Sequence, residues 1–82
     1  MDASPQVRIG AITALMDFNH PDSIELIKST LYDENSEVIE NAVVALYNLS
    51  GADILLDIIN DEKSNQTTKN KAQEILDEYE ND

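Results

Sequence analysis

The residues best equipped for chemistry are one histidine and a crowd of carboxylates. His20 lies between Asp17 and Asp22, a grouping that could polarise an imidazole as a general base. Such a base needs a nucleophile or metal-bound water within hydrogen-bond reach and a rigid pocket to hold it. His20 instead adjoins Pro21 in a stretch that reads as an inter-helix loop. Asp22 is followed by Glu25 at the spacing of a capping box, so its expected role is to start a helix. The run Asp33-Glu34-Asn35-Ser36-Glu37 loosely resembles the opening of a calcium loop. An EF-hand requires glycine at its sixth position and a bidentate glutamate at its twelfth, and Val38 and Val44 stand there. With no cysteine and one histidine, zinc lacks its usual ligands. Asn48-Leu49-Ser50 and Asn65-Gln66-Thr67 match the glycosylation triplet, but Leu49 reads as a core residue and no stretch reads as a secretion signal. The expectation is no catalytic residue, no metal and no cofactor: the chain is not an enzyme.

Composition narrows the remaining classes. Eighty-two residues form one domain, 1–82, with a limited core because short chains bury a smaller share of their surface. Seventeen acidic residues against five basic ones give a net charge of −12. Such a surface repels phosphate backbones and anionic membranes, so no nucleic acid and no membrane are expected as partners; the charge either keeps the protein soluble or attracts a basic protein. The longest apolar runs, such as Ile54-Leu55-Leu56, fall far short of the roughly 20 residues that cross a bilayer. A cytoplasmic location is the expectation. Apolar residues make up 41% of the chain and recur periodically, which favours a folded protein over a disordered one.

The elements that must position any site follow from an internal repeat. Val7, Ala11, Ala14, Leu15 and Phe18 reappear 31 residues later as Val38, Ala42, Ala45, Leu46 and Leu49. A third, partial copy contains Ala72, Ile75, Leu76 and Tyr79, with Thr68 in the valine position. The spacing marks one face of an α-helix. Each of the first two such helices precedes a second apolar segment, Ile24/Ile27/Leu31 and then Ala52/Leu55/Ile59. The first link is three residues longer, with Asn19-His20-Pro21-Asp22-Ser23 where the second copy has Ser50-Gly51. Asp2, Asp33 and Asp61 open the three copies. Ser4 and Asn35 are good N-caps, Pro5 suits a first turn, and Gly51 suits a helix stop. Helices are predicted near residues 4–18, 22–32, 35–49, 52–60 and 65–80. Alanines at 11, 14, 42 and 45 would let backbones approach closely, with Leu15 and Leu46 filling the space inside each hairpin. The repeats span approximately 2–32, 33–60 and 61–82, the last a polar half-repeat that caps one end.

Asp2-Ala3-Ser4-Pro5-Gln6-Val7-Arg8, followed by Ala11 and Ala14-Leu15, resembles the HEAT-like repeat in its short bacterial and archaeal form. Asp33 to Val38, with Ala42 and Ala45-Leu46, matches the same pattern. That resemblance implies an all-α fold, an α-α superhelix of about two and a half helical hairpins and five helices. It also implies a scaffold that binds proteins. The arginine that follows the valine in the family is kept as Arg8 but replaced by Ile39 and then Lys69. An Asp–Arg ladder between repeats would therefore be incomplete. Nothing caps the first helix on its outer side, so the chain reads either as the carboxy-terminal piece of a longer solenoid or as a module whose first hairpin is covered by self-association or a partner.

Two surfaces compete as binding sites. Ile39, Val43 and Tyr47 form a stripe beside the main core face; packing between neighbouring helices is the plainer reading, a partner-facing patch the other. The outer face of the second helices is the family's concave surface. There Glu25 aligns with Asp53, Lys28 with Leu56, and Ser29 with Asp57, with Tyr32 nearby. Glu25, Lys28, Tyr32, Asp53, Leu56 and Asp57 are the expected partner-binding residues, with a merely solvated face as the alternative. The functional expectation is an interaction scaffold or adaptor. Its alternatives are an acidic inhibitor or immunity-type protein that blocks a basic, nucleic-acid-binding partner, and, from the resemblance alone, a fragment of a bilin-lyase-like protein.

Overall fold

Helix α1 (Pro5–Phe18) is followed by α2 (Ser23–Ser29), α3 (Ser36–Ser50), α4 (Ala52–Asn60) and α5 (Gln66–Tyr79) in a computed structural model. The structure describes residues 4–18 and 20–80, and no strand occurs among them. Apolar periodicity places all five helices to within a residue or so, except at the end of α2. There Thr30–Tyr32 tightens into a 3-10 turn. The Ser29 and Thr30 hydroxyls each donate to the carbonyl three residues back, Leu26 and Ile27, at 2.6 Å. Side chains that bond the local backbone in this way compete with regular helix geometry.

Caps set the helix starts. Ser4 Oγ accepts from the Val7 amide at 3.3 Å. Asn35 Oδ1 accepts from the amides of Glu37 and Val38 at 2.9 and 3.2 Å, and Asn65 Oδ1 accepts from Thr68 at 2.8 Å. The capping box expected at Asp22 and Glu25 does not form. Asp22 already has helical dihedrals, φ −83 and ψ −8, and its side chain makes no cap; side-chain capping needs an extended backbone at that position. The loop closes on itself instead: Ser23 Oγ accepts from the His20 amide and His20 Nδ1 from the Asp22 amide, both at 3.1 Å. Gly51 ends α3, as expected, with φ +82 and ψ −164 and its amide on the Tyr47 carbonyl at 2.8 Å.

Helix α3 occupies the centre. It touches each of the other four helices, and most extensively α1. Val38, Ala42, Val43 and Leu46 are fully buried, and Ile39 and Ala45 nearly so. Ile12, Ile27, Leu31, Leu55, Ile58, Ala72 and Ile75 complete the core from the surrounding helices. The stripe of Ile39, Val43 and Tyr47 is thereby absorbed into packing; Tyr47 stacks on Tyr79 with ring centroids 5.9 Å apart and donates to Glu80. Thr68 holds the valine position of the repeat while completely buried. Its hydroxyl lies 2.8 Å from Asn65 Oδ1 and 3.4 Å from the Leu31 carbonyl, so the polar atom is satisfied where it is buried.

The first copy departs from the pattern. Ala42 and Ala45 are buried as anticipated, whereas Val7, Ala11, Ala14 and Phe18 are exposed and Leu15 is half-buried. The covered side of α1 is instead the one that carries Ile12, buried, with Ile9 and Met16 packed against the core. The exposed stripe corresponds to the buried Val38, Ala42 and Ala45 side of α3, and among the described residues it stays uncovered in α1.

One ion pair ties the first two repeats. Arg8 Nε lies 2.6 Å from Asp33 Oδ2, and Nη2 donates to Oδ1 at 3.1 Å. Asp33 Oδ1 also accepts from the Asn35 amide at 2.9 Å. The backbone donor, with help from Arg8, holds the Asp33 carboxyl below its ordinary value against the opposing effect of desolvation. Asp61 repeats the turn, accepting from the Lys63 amide at 2.9 Å, but the arginine position that would face it is Ile39, buried. The ladder is incomplete, as the sequence anticipates. Asp2 lies outside the described residues.

Leu46→Ala should cost about 2–5 kcal/mol, because it opens a cavity in the fully buried centre of α3. Chemical denaturation would measure this, and an unchanged midpoint would misplace the core. Gly51→Ala should cost about 1–3 kcal/mol, since that backbone region is almost confined to glycine. Gly10→Ala, inside α1 with open space around its Cα, should gain about 0.5–1 kcal/mol. Opposite signs in the same thermal-melt series would verify both. For the ion pair, the unfolded Asp33 takes up a proton before the folded one, so its contribution is complete above the ordinary aspartate pKa of about 3.9 and fades as pH falls through the lower folded value. The stability gap between the native chain and Asp33→Asn should therefore be widest at neutral pH and close on acidification, as followed by urea unfolding at several pH values.

Candidate docking groove

Helices α2 and α4 are the second members of successive hairpins, and an open groove of about 340 Å³ runs between them. Its floor is apolar, with Leu31 and Ile58 buried and Ile54 half-buried. The floor follows from the repeat, because Leu31 and Ile58 turn inward where the hairpins stack. Glu25, Lys28 and Tyr32 reach it from one side, spaced i, i+3 and i+7 along α2 and the 3-10 turn, and so share a face. Asp57 comes from α4, and Asp61 and Ser64 from the turn that follows it.

Three carboxylates thus surround a short greasy floor. Lys28 Nζ sits 3.8 Å from Glu25 Oε1 with both side chains well exposed. An exposed pair of this kind is weak and easily exchanged for another cation. Tyr32 is exposed and offers an aromatic face beside the acids. A lysine or arginine side chain suits this arrangement, with its aliphatic stem on Ile54 and its charged head among Glu25, Asp57 and Asp61.

Of the six residues expected to bind a partner, the structure brings Glu25, Lys28, Tyr32 and Asp57 to the groove. Asp53 and Leu56 lie exposed on α4 outside it. Their register on the second helix is equivalent to that of Glu25 and Lys28, but the groove faces the preceding hairpin, so α4 contributes the side carrying Ile54, Asp57 and Ile58. Asp61 and Ser64 escaped the sequence reading because they belong to a turn. The signal for Asp61 was its place as the opening aspartate of a repeat.

The residues first considered for chemistry are engaged structurally. His20 stacks on Phe18 with ring centroids 5.9 Å apart and accepts the Asp22 amide. Within the Asp33–Glu37 run, Asp33 is engaged by Arg8 and the Asn35 amide, and Asn35 by the amides of Glu37 and Val38. Among the described residues no group of three histidine, aspartate or glutamate side chains is placed to hold a metal. Hydrogen bonding to Glu80, more than desolvation, pushes the Tyr47 phenol above its ordinary value of 10.0, a consequence of packing between α3 and the end of α5. No helix among the described residues is long and apolar enough to cross a membrane.

Comparison with known proteins gives one match. A family model of HEAT repeats covers residues 1–77; no curated protein and no solved structure matches the chain. Helical hairpins in tandem, a core that runs through the stack and a match over nearly the whole length agree, and the chain belongs to the HEAT-repeat family.

Proposed function

We propose that the chain is a protein-interaction module that holds a basic segment of its partner in the α2–α4 groove. HEAT repeats generally mediate protein–protein interaction, and the family is typically a non-catalytic scaffold. The observation that carries the finer reading is the combination of an apolar floor, Leu31, Ile54 and Ile58, with carboxylates Glu25, Asp57 and Asp61 around it. Binding by surface complementarity needs no reacting group, and the chain's −12 charge would speed encounter with a cationic partner. An acidic inhibitor that covers the nucleic-acid site of a basic protein would use the same face. The overall charge supports that second reading.

The test is a titration of fluorescent lysine- and arginine-rich peptides against the native chain and a Glu25→Lys/Asp57→Lys variant. Affinity should fall at least about tenfold in the variant, and in the native chain it should fall as salt rises through the range where the Debye length shrinks below about 8 Å. Equal affinity in both proteins, or binding indifferent to salt, would remove the groove from consideration. Full-length basic proteins, such as a histone or a nuclease, replace the peptides to examine the inhibitor reading.

A further inference from the structure

Among the described residues, α1 carries an exposed apolar stripe. Val7 is 61% exposed and Phe18 74%, whereas Val38, the repeat equivalent of Val7, is 0% exposed. Ala11 and Ala14 lie between them, also exposed. Leu26, in the position that Ile54 occupies in the next hairpin, is 51% exposed and extends the face onto α2. Of the other exposed large apolar residues, Val44 and Tyr79 border a common hollow between α3 and α5, while Tyr32 and Leu56 lie on other elements. With its opposite side buried on α3, α1 is apolar around most of its circumference, and a helix of that kind is normally covered.

Charge and symmetry select the occupant. Residues 1–21 contain two acidic residues and one basic, while residues 22–82 contain fifteen and four. The α1 part of the face is therefore poor in charge, with Asp22 and Glu25 only at its α2 edge, so two copies of this acidic chain meet less repulsion there than over residues 22–82. The other end of the stack offers no complement. On α5 the positions equivalent to Arg8, Ile12 and Met16 are Lys69, Gln73 and Asp77, and Gln73 donates to Asp77 at 2.9 Å. Head-to-tail growth would bury those polar groups against Val7 and Phe18. The stripe is also symmetric about its own midpoint: Val7 and Phe18 stand equally far from the point between Ile12 and Thr13, as do Ala11 and Ala14. An antiparallel pair of such helices places Val7 of each copy against Phe18 of the other, with the four alanines at the centre, where small side chains permit close approach.

We propose that two copies of this chain associate through α1 as a closed, two-fold antiparallel dimer. A two-fold interface uses the same patch on both partners and stops at two. Helix α1 is about 21 Å long, and with α2 beside it the face measures on the order of 400 Å² per chain. About 800 Å² over the pair falls below the roughly 1,000 Å² of a stable interface and fits a weak, transient association, so the dimer should gather only toward high protein concentration.

Sedimentation equilibrium of the full chain from about 1 to 500 µM tests the association. A monomer–dimer equilibrium with nothing larger is expected. Ala14→Glu, at an exposed position, should weaken it at least about tenfold while leaving the circular dichroism of the monomer unchanged. Because the chain has no cysteine, engineered thiols test the orientation. A mixture of Val7→Cys and Phe18→Cys chains should form the mixed disulfide on mild oxidation. Val7→Cys alone should not, since the two copies of residue 7 would sit roughly 16 Å apart along the helices, beyond the ~7 Å that a disulfide spans. A monomer at every concentration would overturn the proposal. Open-ended oligomers, or efficient cross-linking of Val7→Cys with Gln73→Cys, would overturn it in favour of head-to-tail stacking.

Discussion

The close burial of α3 is the constraint on which the other helices depend. An isolated helix of fifteen residues is marginal in water, because its stability comes mainly from tertiary packing. Val38, Ala42, Val43 and Leu46 have no exposed surface, and they reach that state only when α1, α2, α4 and α5 are all in place around them. Alanine at 42 and 45 brings neighbouring backbones close, while leucine at 46 and the branched side chains at 38, 39 and 43 fill the gaps. Each outer helix therefore has its apolar side defined by a common neighbour. In a chain this small, the stack behaves less like a row of independent repeats than like a ring of supports around one post.

Much of the fold was legible because α-helical spacing, caps and breakers all agree. Val7 to Phe18 and Val38 to Leu49 are the same pattern, Asn35 and Gly51 mark the ends of α3, and each signal is local to a few residues. The misreadings lie where the outcome depends on something local patterns do not contain. Asp22 and Glu25 have capping-box spacing, yet the longer first link brings Asp22 in with helical dihedrals. Val7, Ala11, Ala14 and Phe18 carry the core signature, yet burial also requires a neighbour. The same signature is satisfied in α3 and unsatisfied in α1 because the two helices occupy different places in the stack.

The groove was half legible for a related reason. Repeat equivalence correctly identified the second helices as a shared surface and picked out Glu25, Lys28, Tyr32 and Asp57, which meet there. It treated Asp53 and Leu56 as partners of Glu25 and Lys28, although successive hairpins present opposite flanks to the groove between them. Equivalence in sequence tells which residues repeat; it does not tell which flank of each faces the gap. Asp61 and Ser64 come from the turn after α4, outside any periodic pattern.

The incomplete ladder has a consequence for how the two seams of the stack respond to their surroundings. Between the first and second repeats Arg8 grips Asp33; between the second and third, buried Ile39 and Val43 meet α5 with no such ion pair at the equivalent position. Concentrated neutral salt loosens an ionic clasp by screening it, whereas excluded salts such as sulfate tighten an oily contact. Cooling weakens the oily contact. Both seams thus loosen in the cold, whereas only the first carries a clasp that brine can weaken.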